Sequence, residues 1–109
     1  MLTLNEFKAA RAVLSGVILN TNLIYSPALS KTTGNHIYLK PENMQVTGAY
    51  KIRGAYYKIS TLSEEEKSRG LITASAGNHA QGVAYAAQAA GVSATIVMPT
   101  TAPLVKVNN

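Results

Sequence analysis

The chain has 109 residues, of which 47% are hydrophobic and 14% charged, and its formal net charge is +5. That is the composition of one globular domain with a sizeable core, and it excludes a disordered chain. The lack of cysteine excludes a disulfide framework and a thiolate metal site, and the scattered Lys and Arg residues form no basic tail or aromatic-interleaved surface, so no nucleic-acid partner is expected.

The N-terminal stretch MLTLNEFKAARAVL has no apolar segment followed by a cleavage site. No apolar run approaches the roughly 20 residues of a membrane span. A cytoplasmic protein with no membrane partner is therefore expected. Residues 3–16 read as a helix: Thr3 and Glu6 form a capping box, Phe7, Ala10 and Leu14 share a face, and Gly16 ends it. Residues 17–36 read as irregular, with turn signals at Ser26-Pro27 and at Thr33-Gly34-Asn35. HIYLK (36–40) reads as a short strand stopped by Pro41. Of the polar side chains nearby, His36 reads as a surface residue, and Arg53 as a residue that could contact an anion but more readily is solvated or pairs with Glu42.

A second helix is expected from Gly48 to Thr61, because Ile52, Ala55, Tyr56 and Ile59 recur at helical spacing. SEEEKSRG (63–70) is a solvated helical turn capped by Ser63 and closed by Gly70. LITAS (71–75) and SATIVMP (93–99) read as buried strands around an alanine-rich helix over 79–90. Ala80, Val83, Ala84 and Ala87 are its expected inner stripe and Gly91 its C-terminal glycine. Strand, tight turn, helix and strand make a βαβ unit, so the fold class is α/β, with a parallel sheet covered on both faces. A further helix is expected from Thr101.

Two stretches have the residue types for chemistry. ASAGNHAQG (74–82) joins a strand's carboxyl end to a helix start, where ligands of open α/β sheets bind and where unpaired N–H groups make an anion site. The plain alternative is an ordinary turn with Asn78 as the N-cap; it does not account for Ser75, Gly77, Asn78 and His79 standing together. In TGAYKIRGAYYK (47–58), Lys51 lies at a helix start between aromatic and aliphatic neighbours. The helix's positive end and desolvation both favour a neutral, nucleophilic amine able to form a Schiff base with a carbonyl cofactor. Residue physics alone still favours a solvated lysine, like Lys58 and Lys67, because lysines are almost always exposed.

LKPENMQVTGAYKIRGAYYKI, followed from Ala74 by ASAGNHAQGVA, resembles the fold-type II pyridoxal-phosphate enzymes, and within them the threonine ammonia-lyases (threonine dehydratases). The resemblance covers the chain from Ile37 to Asn109. It implies the tryptophan synthase β-like fold, incomplete here. Residues 1–46 would be an N-terminal segment of the large cofactor domain. Residues 47–109 would be the cofactor-lysine helix and the start of the small open α/β domain, with the rest of the enzyme absent.

The resemblance also implies site roles. Lys51 would form the Schiff base with pyridoxal 5'-phosphate and move the substrate Cα proton. Tyr50 would lie beside the cofactor ring, where a Phe is usual, and Asn78 would hydrogen-bond the cofactor's 3'-oxygen. Ser75, Gly77, Asn78 and His79 would hold the substrate carboxylate. Thr47, Gly48 and Gln81 match a site for an AMP-type nucleotide activator in the catabolic branch. Ala49 departs from the usual Ser. The reaction implied is β-elimination of water from L-threonine or L-serine, giving 2-oxobutanoate or pyruvate and ammonia, in a homo-oligomeric parent.

Other fold-type II enzymes, a serine dehydratase or a serine racemase, remain as alternatives. Ala76 stands where racemases carry an acid/base serine, and His79-Ala80 with Tyr50 argue against cysteine synthases. From a different class, a non-catalytic α/β anion-binding module would also keep the 74–82 turn. No glycine-rich run that would cup the cofactor phosphate is present, so the isolated 109 residues are expected to be inactive.

Overall fold

The computed structural model describes residues 1–107, so the last two residues of the expected 47–109 unit lie outside the described residues. Helix α1 spans Leu4–Leu14. Its capping box forms as the sequence implies: the Thr3 hydroxyl accepts from the Glu6 N–H at 3.4 Å, and the Glu6 carboxylate accepts from the Thr3 N–H at 2.6 Å. The bonds that the Glu6 carboxylate accepts from the Thr3 N–H and the Thr3 hydroxyl hold its carboxyl below its ordinary value. Leu14 is buried, but Phe7, expected on the same inward face, is 61% exposed.

Residues 17–36 are more ordered than the sequence suggests. Strand β1 (Ile24–Tyr25) pairs antiparallel with β2 (Tyr38–Leu39), and helix α2 (Pro27–Thr33) lies between them. The turn signals are in fact the helix's caps. The Ser26 hydroxyl accepts from the Leu29 N–H, Pro27 is the first helical residue, and Gly34 closes the helix at φ +69°.

Helix α3 (Lys51–Ser60) starts three residues later than expected. Gly48 lies outside it, in a tight turn whose N–H donates to the Gln45 carbonyl at 2.7 Å, with φ at +68°. Helix α4 (Glu64–Ser68) has the expected Ser63–Glu66 capping box. Strand β3 (Leu71–Ala74), helix α5 (Asn78–Ala90) and strand β4 (Ala94–Val97) form the βαβ unit, with Leu71 opposite Ala94 and Ala74 opposite Val97 in parallel register. Gly91 closes α5 at φ +65°, and α6 begins at Leu104.

The core lies between α3 and α5. Ala55, Ile59, Val83 and Ala86 form its centre, with Tyr56, Leu62 and Leu71 against them. Ile52 has no exposed surface, and Ala80, Ala86 and Ala87 have almost none. Ala84, expected in the inner stripe, faces outward; Ala86 takes its place. The sheet also departs from expectation. Ile72 is 77% exposed and Val97 52% exposed, so among the described residues only the α5 side is covered. Strands of a parallel sheet are normally buried on both faces, and the apolar sequence of these two reflects that requirement.

Candidate active site

Lys51 is the first residue of α3, preceded by the turn at 45–48. The turn is braced internally: the Thr47 hydroxyl donates to the Ala49 carbonyl at 3.4 Å, and the Ala49 side chain is buried. The Tyr50 ring is exposed, and the Lys51 ammonium lies 5.3 Å from its centroid, within cation–π range. Lys51 itself is exposed, so the desolvation expected from its neighbours is not met within this chain.

The 75–79 turn follows the carboxyl end of β3, as the sequence implies. The Ser75 N–H donates to the Val97 carbonyl at 3.0 Å and extends the ladder one step beyond the strand. Asn78 is not the N-cap. Gly77 holds that position and offers no side chain, and Asn78 is the first residue of α5. Ser75 does the capping instead: its hydroxyl accepts from the N–H groups of Gly77 and Ala80, each at 3.3 Å. Two amides expected to face a ligand are thus engaged, while the Asn78 and His79 side chains stand exposed on the first turn of α5.

Packing of α3 against α5 brings the two stretches together. The backbone of Lys51 and Ile52 abuts Gly82, one turn along α5 from Asn78. Thr47, Gly48 and Gln81 line one cleft of about 690 Å³, together with Tyr85 and Gln88. His79 lines a separate hollow of about 230 Å³ beside Thr73 and Val83. Lys51 borders neither.

The residues leading into the lysine helix do more than sequence reasoning assigned them. Arg53 pairs with Glu42 through two bonds of 2.8 Å, the partnership expected. Glu42 also accepts from the Thr21 hydroxyl at 2.7 Å, and Lys40 donates to the Thr21 carbonyl. Gln45, 4% exposed, grips the Leu19 backbone at both its N–H (2.9 Å) and its carbonyl (2.8 Å). The polar side chains of LKPENMQ therefore latch the 19–21 loop to the lead-in of α3. The Arg53 guanidinium, with the Thr21 hydroxyl and the Lys40 charge, outweighs desolvation and lowers the Glu42 carboxyl to about 2; Glu42 in turn raises Arg53. Pairwise polar contacts between distant residues leave no periodic signal, which is why Gln45 and Thr21 escape a reading of the sequence.

The donor set suits an aldehyde cofactor with a flat ring: an exposed primary amine at a helix start, an aromatic ring beside it, and an amide side chain on the helix packed alongside. The described residues show no cluster of His, Cys, Asp or Glu that would hold a metal ion. An open α/β unit with such an amine and turn defines the class, and comparison with known proteins agrees. Residues 14–109 match the model for "pyridoxal-phosphate dependent enzyme", and the chain belongs to that family, with the α/β fold-type II architecture incomplete.

The L-threonine ammonia-lyase of Thermotoga maritima is 60% identical over 107 residues, covering 98% of this chain and 27% of that protein. The catabolic L-threonine dehydratase TdcB of Staphylococcus aureus is 51% identical over 109 residues, covering 99% of this chain and 32% of that protein. Among solved structures, the serine racemase of Dictyostelium discoideum superposes with a TM-score of 0.89 at 38% identity, over 98% of this chain and 35% of that one. Threonine deaminase isoform 2 of Solanum lycopersicum superposes with a TM-score of 0.77 at 42% identity, over 98% and 31%. The chain thus spans about a quarter to a third of the length of the curated relatives it matches.

Proposed function

We propose that this chain is the N-terminal part of a pyridoxal-phosphate-dependent L-threonine ammonia-lyase, which dehydrates and deaminates L-threonine, and also L-serine, to a 2-oxoacid and ammonia. The observation that carries this reading is the packing of α3, which begins at Lys51, against α5, which begins at Asn78. In this reading residues 1–46 belong to the large cofactor domain and residues 47–109 open the small one.

When bound, the cofactor supplies an electron sink for charge developing at the substrate Cα. The chain's own residues do the rest. The Lys51 amine would anchor the cofactor and then take the Cα proton. Tyr50 would lie beside the ring, and Asn78 would donate to the ring's 3'-oxygen. Ser75 holds the 75–79 turn in shape through its bonds to Gly77 and Ala80; Ser75, Gly77, Asn78 and His79 would receive the substrate carboxylate at the positive end of α5, the Gly77 N–H by exchanging its bond to Ser75 for one to the ligand. Ala76 has no proton to give or take on the opposite face, which favours elimination over racemisation despite the likeness to a serine racemase.

The shared cleft of Thr47, Gly48 and Gln81 supports an activator site for an AMP-type nucleotide. The open sheet face supports a longer chain and an isolated segment that does not turn over substrate; a homo-oligomeric, cytoplasmic enzyme completes the proposal. Lys51→Ala tests the central claim. We expect the cofactor's lysine-dependent visible absorbance to vanish from the complete enzyme and turnover of L-threonine to fall by roughly 10³-fold or more. An unchanged spectrum would sink the reading.

A further inference from the structure

Gly82 lies where α5 comes closest to the start of α3. A methyl group placed on it would meet the Lys51 carbonyl carbon, the Lys51 oxygen and the Ile52 nitrogen, each at 3.2 Å. Contacts that tight require the neighbour to move by a few tenths of an ångström, and here the neighbour is main chain that cannot rotate aside. Farther along the two helices the core contact is between side chains, Ala55 and Ile59 against Val83 and Ala86. Between α3 and α5, among the described residues, it is at the level of Lys51 that backbone rests against a glycine. Packed helices normally lie about 8–10 Å apart, according to the side chains between them, and a residue without a side chain sets the near end of that range.

Gly82 also stands one turn beyond Asn78, on the same face of α5. The N-terminal end of α5 is fixed to the sheet by the Ser75 bonds, and Ile52 beside Lys51 is fully buried. The spacing between the Lys51 main chain and the first turn of α5 therefore depends on the atoms at position 82. We infer that Gly82 is a positioning residue, whose missing side chain sets the distance between the Lys51 amine and the Asn78–His79 turn. The inference rests on the reading of Lys51 as the working amine.

The test compares Gly82→Ala with Val83→Ala in the complete protein. The first inserts a wedge against the Lys51 backbone; the second removes packing from the same interface without touching it. Two quantities are read beside Tm. One is the rate at which an amine-acylating ester labels Lys51 in the cofactor-free protein, followed by peptide mass spectrometry. The other is the split between kcat and KM for L-threonine after loading with pyridoxal phosphate.

Misplacing a reacting group by 1 Å costs about 10²-fold, so a shift of a few tenths should lower kcat roughly 3- to 10-fold. We expect that loss in Gly82→Ala with KM within about twofold, and a change of about twofold or more in Lys51 labelling. Val83→Ala should lower Tm and leave both quantities unchanged. A Gly82→Ala protein altered only in Tm, with wild-type labelling and kcat in the folded fraction, overturns the inference and makes Gly82 a packing residue. A wild type that gains no lysine-dependent absorbance defeats the functional reading instead, while the labelling comparison still decides the role of Gly82.

Discussion

Helix α3 is held on its two sides by different chemistry. Toward α5 the contact is dry: Ile52, Ala55 and Ile59 meet Val83, Ala86 and Gly82. Toward the N-terminal segment it is polar, with Arg53 on Glu42, Glu42 on Thr21, and Gln45 on Leu19. Apolar burial is strong but non-directional. It brings the helices close without specifying which loop leads into them. Hydrogen bonds contribute less each, but they are directional and costly to leave half-made. The dry side thus sets how near Lys51 lies to the turn on α5, and the polar side fixes the path by which the chain arrives at Lys51.

The largest expected effect breaks the dry side. Ile52→Ala should cost about 2–5 kcal/mol, because Ile52 is fully buried and its truncation leaves a cavity between the packed helices. Chemical denaturation of both proteins measures it, and a cost well under 1 kcal/mol would show the interface to be looser than described.

The next breaks the charged part of the polar side. The Glu42 carboxyl is lowered from 4.5 to about 2 in the folded protein. Its contribution is therefore present above the ordinary carboxylate value and is lost as pH falls through about 2. The lowering corresponds to roughly 3 kcal/mol at neutral pH. Glu42→Gln should lose that amount at pH 7, and its stability should converge with the wild type between about pH 4.5 and pH 2. Parallel stability–pH curves for the two proteins would mean that the pair contributes nothing specific.

The smallest removes the neutral grip. Gln45→Leu keeps the volume but leaves the Leu19 N–H and carbonyl without their partner, at a cost of about 1–3 kcal/mol that should not vary with pH. Equilibrium unfolding at pH 3 and pH 7 separates this from the Glu42 effect.

Much of this architecture is legible without coordinates. The capping boxes at Thr3–Glu6 and Ser63–Glu66, the glycine after α5 and the parallel pairing of β3 with β4 all follow from local chemistry and periodicity. Helix α2 escaped because PALSKTT has no apolar stripe, although its caps at Ser26, Pro27 and Gly34 were visible and read as turns. The plain alternative of Asn78 as a cap rests on asparagine being a favoured one; the bond from Ala80 back to Ser75 fills that role instead. Phe7 and Ala84 were placed inside by spacing alone, which says which residues share a face but not whether a partner covers it.

The sequence by itself determined the capped and periodic elements, the family and the two stretches that contain the candidate site, because caps, periods and long motifs are local and survive in one dimension. The tertiary structure alone decided how those stretches meet. The grip of Gln45 on Leu19, the capping of α5 by Ser75 and the seating of Lys51 against Gly82 are contacts between residues remote in sequence or hidden behind a commoner alternative. A glycine announces nothing about what it touches, and only the packed helices show that its missing side chain faces the backbone of the lysine.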